Sequence, residues 1–119
     1  MGAAMAMMAT GAFAQSAAQP ADKVLYDRGI EKIDHGDYAD ARLILNTLIN
    51  SYATSEYQAK AKLAIAVSWL GEGGARGLAQ AEAEYKDFIL FYPEMKEAAD
   101  LQVGEPLRKI REQKATTPQ

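Results

Sequence analysis

The sequence predicts an all-α protein built from two copies of one helical hairpin. Hydrophobic residues make up 49% of the chain, and alanine supplies much of that fraction. Alanine is the strongest helix former and the smallest apolar side chain beyond glycine, so this composition favours closely packed helices. Valine, isoleucine and threonine never alternate over the length of a strand, and one apolar pattern recurs twice along the chain.

The recurring pattern places apolar residues at helical spacing around a central alanine. The first copy consists of Tyr38, Ala41, Leu45, Leu48 and Tyr52. The second copy consists of Leu78, Ala81, Tyr85, Phe88 and Tyr92. Residues three, four and seven apart share one face of a helix, so each copy predicts an apolar stripe, with alanine where two helix axes approach. Neither hairpin can bury its stripe alone, and stacking the two buries both.

The other elements follow in order around these two helices. A first helix is predicted over Ala21–Asp34, with the small residue Gly29 on its packing face, and a turn at Gly36 leads into the first copy. A third helix is predicted from about Ser55, its candidate cap, to about Leu70. A flexible glycine turn, Gly71–Gly77, then precedes the second copy.

The C-terminal part is predicted to form a cap on the second hairpin. Pro93 ends the fourth helix, and a fifth helix over Glu94–Val103 is stopped or kinked at Gly104-Glu105-Pro106. A short charged helix over Leu107–Gln113 then shields the open end. The predicted boundaries are repeat 1 at about 22–55, repeat 2 at about 56–93 and the cap at 94–114, within a helical repeat domain at 22–114 that is followed by a tail at 115–119.

The N-terminal residues have the composition of an export signal. Residues 1–14 are uncharged, small and apolar, and they end in Ala12-Phe13-Ala14, the A-x-A pattern of a signal peptidase site. We therefore predict a signal peptide at 1–14 and a linker at 15–21, although no basic residue precedes the apolar stretch. The alternative is an uncleaved N-terminus, either disordered or a frayed helix. The stretch is too short and too weakly hydrophobic for a transmembrane helix.

Composition excludes several classes of function. The formal net charge is −3 with no basic stripe, so nucleic acid is not an expected partner. The chain contains no cysteine and one histidine, His35, so no metal site and no cofactor are expected. The glycine-rich run Gly71–Gly77 lacks the Lys-Ser/Thr ending of a phosphate loop, and it follows a predicted helix where that loop needs a strand. His35 is expected to be a surface residue or to interact with the dipole at the end of its helix. We predict that the protein is not an enzyme.

The predicted functional surface is the face formed by the first helix of each repeat. The candidate peptide-groove residues on this face are Tyr26, Ile30, Ile33, Lys60, Leu63 and Val67. Such a groove suits an extended or helical peptide held by apolar contacts and a few charges. The alternative for each residue is packing against the neighbouring helix. The expected partners are therefore proteins or peptide segments.

The repeat resembles the tetratricopeptide family on several residues. The family has a small residue, a tyrosine, an alanine and a proline at fixed spacings. In this chain the small residue is Gly36, the tyrosine position holds Tyr38 or Leu78, the alanine is Ala41 or Ala81, and the proline is Pro93. The resemblance implies a fragment of a right-handed α-solenoid of helical hairpins that binds other proteins. The unit here is longer than the family's usual one.

A closer resemblance lies in the run Tyr85, Phe88, Ile89, Tyr92 and Pro93. This run and residues 43–70 are similar to the BamD family of outer-membrane protein assembly factors. The resemblance implies a component of outer-membrane β-barrel assembly on the periplasmic face, with unfolded barrel proteins or other assembly subunits as partners. A second resemblance, through Trp69–Glu72, is to the CpoB family of periplasmic cell-division and envelope scaffolds.

Two departures from the BamD pattern leave alternatives open. That family is lipid-anchored through a cysteine and has about five repeats, whereas these residues hold no cysteine and two repeats with a cap. Three interpretations remain: the chain is a fragment, a truncated paralogue or a soluble relative of that family. Membrane association is expected only through partner proteins or through a lipid anchor that these residues do not contain. A self-associating structural module and a hidden enzyme around His35 are competing functions of other classes.

Overall fold

A computed structural model describes residues 19–116, and every regular element within that range is helical. Four main helices come first: α1 (Ala21–Asp34), α2 (Tyr38–Ser51), α3 (Gln58–Glu72) and α4 (Gly74–Phe91). A 3-10 turn (Pro93–Met95) leads into a helical run made of α5 (Lys96–Ala99), a π-helical segment (Asp100–Gly104) and α6 (Glu105–Thr116). This run, residues 96–116, is called the C-terminal helix below. The predicted all-α helical-repeat fold is confirmed.

The first hairpin is held by close contact between α1 and α2. Gly36 has a φ of 78°, which lets the chain reverse between the two helices. A Cβ on Gly29 would lie 2.6 Å from the side chain of Leu45, so only glycine leaves room for that leucine. Leu45 and Ala41 are completely buried. The small residues of the pattern therefore set the distance between the helices.

The turn between α3 and α4 is much shorter than the predicted flexible segment over Gly71–Gly77. Only Gly73 separates the two helices, and Gly73 and Gly74 have φ values of 73° and 70°. A Cβ on the buried Gly77 would lie 2.8 Å from the backbone oxygen of Trp69. The prediction of a long turn was wrong because most of these glycines lie inside the helices and allow close packing.

The C-terminal helix also differs from its predicted form. It was predicted to stop or kink at Gly104-Glu105-Pro106 and to resume at Leu107. It does not stop there but continues to Thr116, and a π-helical turn directly before Glu105 changes its hydrogen-bond pattern. Pro106, which has no backbone N–H, thus lies where the helical hydrogen-bond register changes. The Tyr85 hydroxyl donates a hydrogen bond to Asp100, and this bond together with burial raises the pKa of Tyr85 to about 12. That contact ties the C-terminal helix to α4.

Two clusters of buried side chains form the core. The cluster of the first hairpin contains Leu45, Leu48, Ala61, Ala64 and Ile65. The cluster of the second hairpin contains Leu63, Ala66, Ala81, Phe88, Ala99, Val103 and Leu107. Helix α3 supplies residues to both clusters, and Trp69 packs against both. The two hairpins are therefore joined through α3, as the stacking argument requires.

Several predicted boundaries fall near the limits of the described residues. The predicted signal peptide at 1–14 lies outside them, as does most of the predicted linker at 15–21. The predicted tail at 115–119 begins inside the C-terminal helix, which includes Ala115 and Thr116. Helix α3 begins at Gln58 rather than Ser55, and the Ser55 hydroxyl accepts a hydrogen bond from the backbone N–H of Tyr57 at 3.0 Å.

Candidate functional site

The structure brings all the predicted groove residues together. They line one open groove of about 340 Å³, here called the concave groove. Helix α1 contributes Tyr26, Ile30 and Ile33, and helix α3 contributes Lys60, Leu63 and Val67. The remaining lining residues were not predicted from the sequence, and they are Asp34, Ala64, Met95, Ala98 and Gln102.

Three of the missed residues come from the 3-10 turn and the C-terminal helix, which together form the third wall of the groove. Met95, Ala98 and Gln102 follow the same helical spacing of three, four and seven residues that identified the other walls. This spacing was present in the sequence, but the segment was interpreted only as a cap. It closes the second hairpin and also extends the groove.

The groove residues both pack and remain accessible. Leu63 is only 5% exposed and forms part of the floor, whereas Tyr26, Ile30 and Val67 are half-buried. The Tyr26 ring stacks on Tyr57, with 5.3 Å between the ring centroids, and burial raises the pKa of Tyr26 above its ordinary value. These side chains therefore pack against neighbouring helices and line the groove at the same time, since one face of each contacts the core.

Charged groups lie at the two ends of this apolar surface. The Nζ atom of Lys60 is 5.8 Å from the centroid of the Tyr57 ring, at the end where Tyr26 stacks. Asp34 lies at the other end, and the eight helical steps from Tyr26 to Asp34 correspond to about 12 Å along the helix. An extended peptide of about four residues spans that length. The groove thus has an apolar middle and ends of opposite charge.

The histidine is not one of the residues that line this groove. His35 is exposed, and its Nδ1 atom is 2.8 Å from the backbone oxygen of Glu31 at the end of α1. Among residues 19–116, no group of three or more histidine, cysteine or acidic side chains is placed to hold a metal ion. The side chains of the concave groove offer apolar contact, an aromatic hydroxyl, an amide and two charges. This set of groups suits the binding of a polypeptide.

Comparison with protein families gives a match over much of the chain. A model of the YfiO family, described as outer membrane lipoprotein, matches residues 18–102, which is more than half of the chain. The chain belongs to the YfiO family. The predicted membership of a tetratricopeptide-like family is therefore confirmed, and YfiO proteins are of the protein-interaction scaffold type. Comparisons with curated proteins and with solved structures gave no significant match.

The region matched to the YfiO family contains the whole concave groove. It extends from the residues before α1 to Gln102 in the C-terminal helix, the last residue of the groove wall. Within residues 19–116, no helix is both long enough and apolar enough to cross a membrane.

Proposed function

We propose that this YfiO-family chain is a BamD-like adaptor that holds unfolded segments of outer-membrane β-barrel proteins in the concave groove. The observation that carries the proposal is the meeting of apolar residues from three helices in one open groove inside the matched region. The family description supports a place of action at the periplasmic face of the outer membrane. The family match favours this role over that of a CpoB-like envelope scaffold.

The chemistry of barrel proteins fits the shape of the groove. Strands of outer-membrane barrels alternate apolar and polar residues, so an unfolded segment presents an apolar side chain at every second position. The floor at Leu63 and the walls at Ile30 and Val67 offer apolar surface for such side chains. Lys60 and Asp34 lie at the ends, where they can pair with charges of the segment. Because only about four residues fit, each contact is expected to be weak and reversible.

Filling the groove with one large side chain tests this proposal. Ala98 is exposed and lines the groove, so Ala98→Trp places an indole in the binding space without changing a core position. We expect the variant to bind an unfolded outer-membrane β-barrel protein, diluted from urea, about tenfold or more weakly. Binding is measured by fluorescence anisotropy of the labelled barrel protein.

The matched control is Ala83→Trp, at an exposed alanine of α4 that lines no described groove. It is expected to leave binding unchanged, and circular dichroism of both variants checks that their helical content is retained. Equal binding by wild type and the folded Ala98→Trp variant contradicts the proposal. An equal loss of binding in both variants contradicts it as well, because it shows binding outside the groove.

A further inference from the structure

A second groove lies on the opposite side of α3, between α2 and α4. Its volume is about 400 Å³, and it is here called the outer groove. The three lining residues of α3, Lys62, Ile65 and Trp69, lie about half a helical turn away from those of the concave groove. Phe91, at the edge of the outer groove, is 69% exposed although it is a large apolar residue. The Nζ atom of Lys62 lies over this ring, and most of the Phe91 side chain stays accessible.

One end of the outer groove is closed by an arginine whose charge is already balanced. The guanidinium of Arg42 lies 3.6 Å from the ring centroid of Trp69, and it donates to Glu72 at 2.6 Å and to the buried Ser68 hydroxyl at 3.2 Å. The Arg42 side chain is only 12% exposed. It therefore acts as a fixed wall, and an incoming anion would have to compete with Glu72 for it.

The other side of the outer groove carries two negative charges, and Lys62 supplies one positive charge to the same groove. Glu84 and Asp87, one helical turn apart on α4, both line it, and neither forms a salt bridge with another residue of the described range. Burial and the charge of Asp87 raise the pKa of Glu84, and the positive charge of Lys62 opposes this rise only in part. The Nζ atom of Lys62 is instead near the rings of Phe91 and Tyr92, at 5.9 and 5.7 Å from their centroids.

From this arrangement we propose that the outer groove docks a polypeptide segment in which a basic residue lies beside bulky apolar residues. The basic side chain pairs with Glu84 and Asp87, and the apolar side chains cover Phe91 and Ile49. Arginine suits the site better than lysine, because its flat guanidinium can stack on the exposed aromatic ring while it bonds to carboxylates. The docking surface is separate from the concave groove and does not depend on the function proposed for it.

Two synthetic helical peptides test this proposal with the whole chain. Both have about 15 residues and the same leucine stripe, and they differ only in carrying arginine or glutamate beside it. We expect the arginine peptide to bind at least about tenfold more tightly, as measured by fluorescence anisotropy. The variant Glu84→Gln/Asp87→Asn is expected to weaken binding of the arginine peptide about tenfold and to remove most of the difference between the two peptides.

The control variant Glu31→Gln/Glu94→Gln changes the net charge equally at two exposed positions that line no described groove. It is expected to keep the full affinity for the arginine peptide. Ala98→Trp, which fills the concave groove, is also expected to keep it, and this result separates the two binding surfaces. Absence of binding, equal binding of both peptides, or an equal loss in the control variant overturns the proposal. Loss of binding in Ala98→Trp overturns it too.

Discussion

Replacing Phe88 by alanine is expected to lower the free energy of unfolding by about 3–5 kcal/mol. Phe88 is 2% exposed and is the largest side chain in the buried cluster of the second hairpin. Its ring centroid lies 5.1 Å from that of Tyr92, so the substitution removes an aromatic contact as well as apolar volume. The cavity left behind is bordered by α3, α4 and the C-terminal helix, which cannot all move inward together.

The measurement is urea unfolding followed by circular dichroism and by the fluorescence of Trp69, which packs against both core clusters. The matched control is Leu90→Ala on the same helix, where the side chain is 73% exposed. That control is expected to change stability by no more than about 0.5 kcal/mol. Similar stability losses in the two variants would contradict the assignment of the buried face of α4.

The second large effect is expected at Leu45, in the core of the first hairpin. Leu45→Ala is expected to cost about 2–5 kcal/mol, because the side chain is completely buried between α1, α2 and α3. Leu43→Ala, at a 70% exposed position of the same helix, is the control and is expected to have almost no effect. Urea unfolding under identical conditions gives both unfolding free energies. A larger loss of stability in the Leu43 variant would show that the buried face of α2 is assigned wrongly.

A double-mutant cycle of Gly29 and Leu45 tests the contact that determines how α1 packs against α2. Gly29→Ala alone is expected to destabilise the chain by about 1–3 kcal/mol, because the new Cβ would lie 2.6 Å from Leu45. In the Leu45→Ala background that clash is gone, and the same substitution is expected to be neutral or stabilising, since alanine favours helix over glycine. Additive losses in the double variant would show that the two residues do not touch.

The sequence predicted the hairpin repeat well because the information is local. The spacing of Ala41, Leu45 and Leu48 defines a helix face, and its recurrence at Ala81 and Phe88 requires a second helix of the same kind. The groove residues Tyr26 and Val67 followed from the same periodicity, because the first helix of each repeat presents an equivalent face. The helical spacing alone places these two side chains on the same surface, so no contact between distant residues had to be known to predict it.

The features that sequence reasoning missed depend on contacts between distant residues. Nothing near Arg42 in the sequence indicates that it pairs with Glu72 and stacks on Trp69, so the outer groove could not be predicted. The glycines between α3 and α4 were interpreted as flexibility, whereas Gly77 is needed for close approach to the Trp69 backbone. Pro106 was interpreted as a place where the helix stops or kinks, because the π-helical turn that precedes it leaves no clear signal in the sequence.

The most direct test of the central claim is site-specific photo-crosslinking from the concave groove. A photoreactive amino acid is placed at Ala98 in one preparation and at Ala83 in another, and each is mixed with an outer-membrane β-barrel protein diluted from urea. If the groove holds unfolded barrel segments, the adduct forms from position 98, is much weaker from position 83, and is reduced by an excess of unlabelled barrel protein. Equal adducts from both positions, or an adduct from position 83 alone, would contradict that claim.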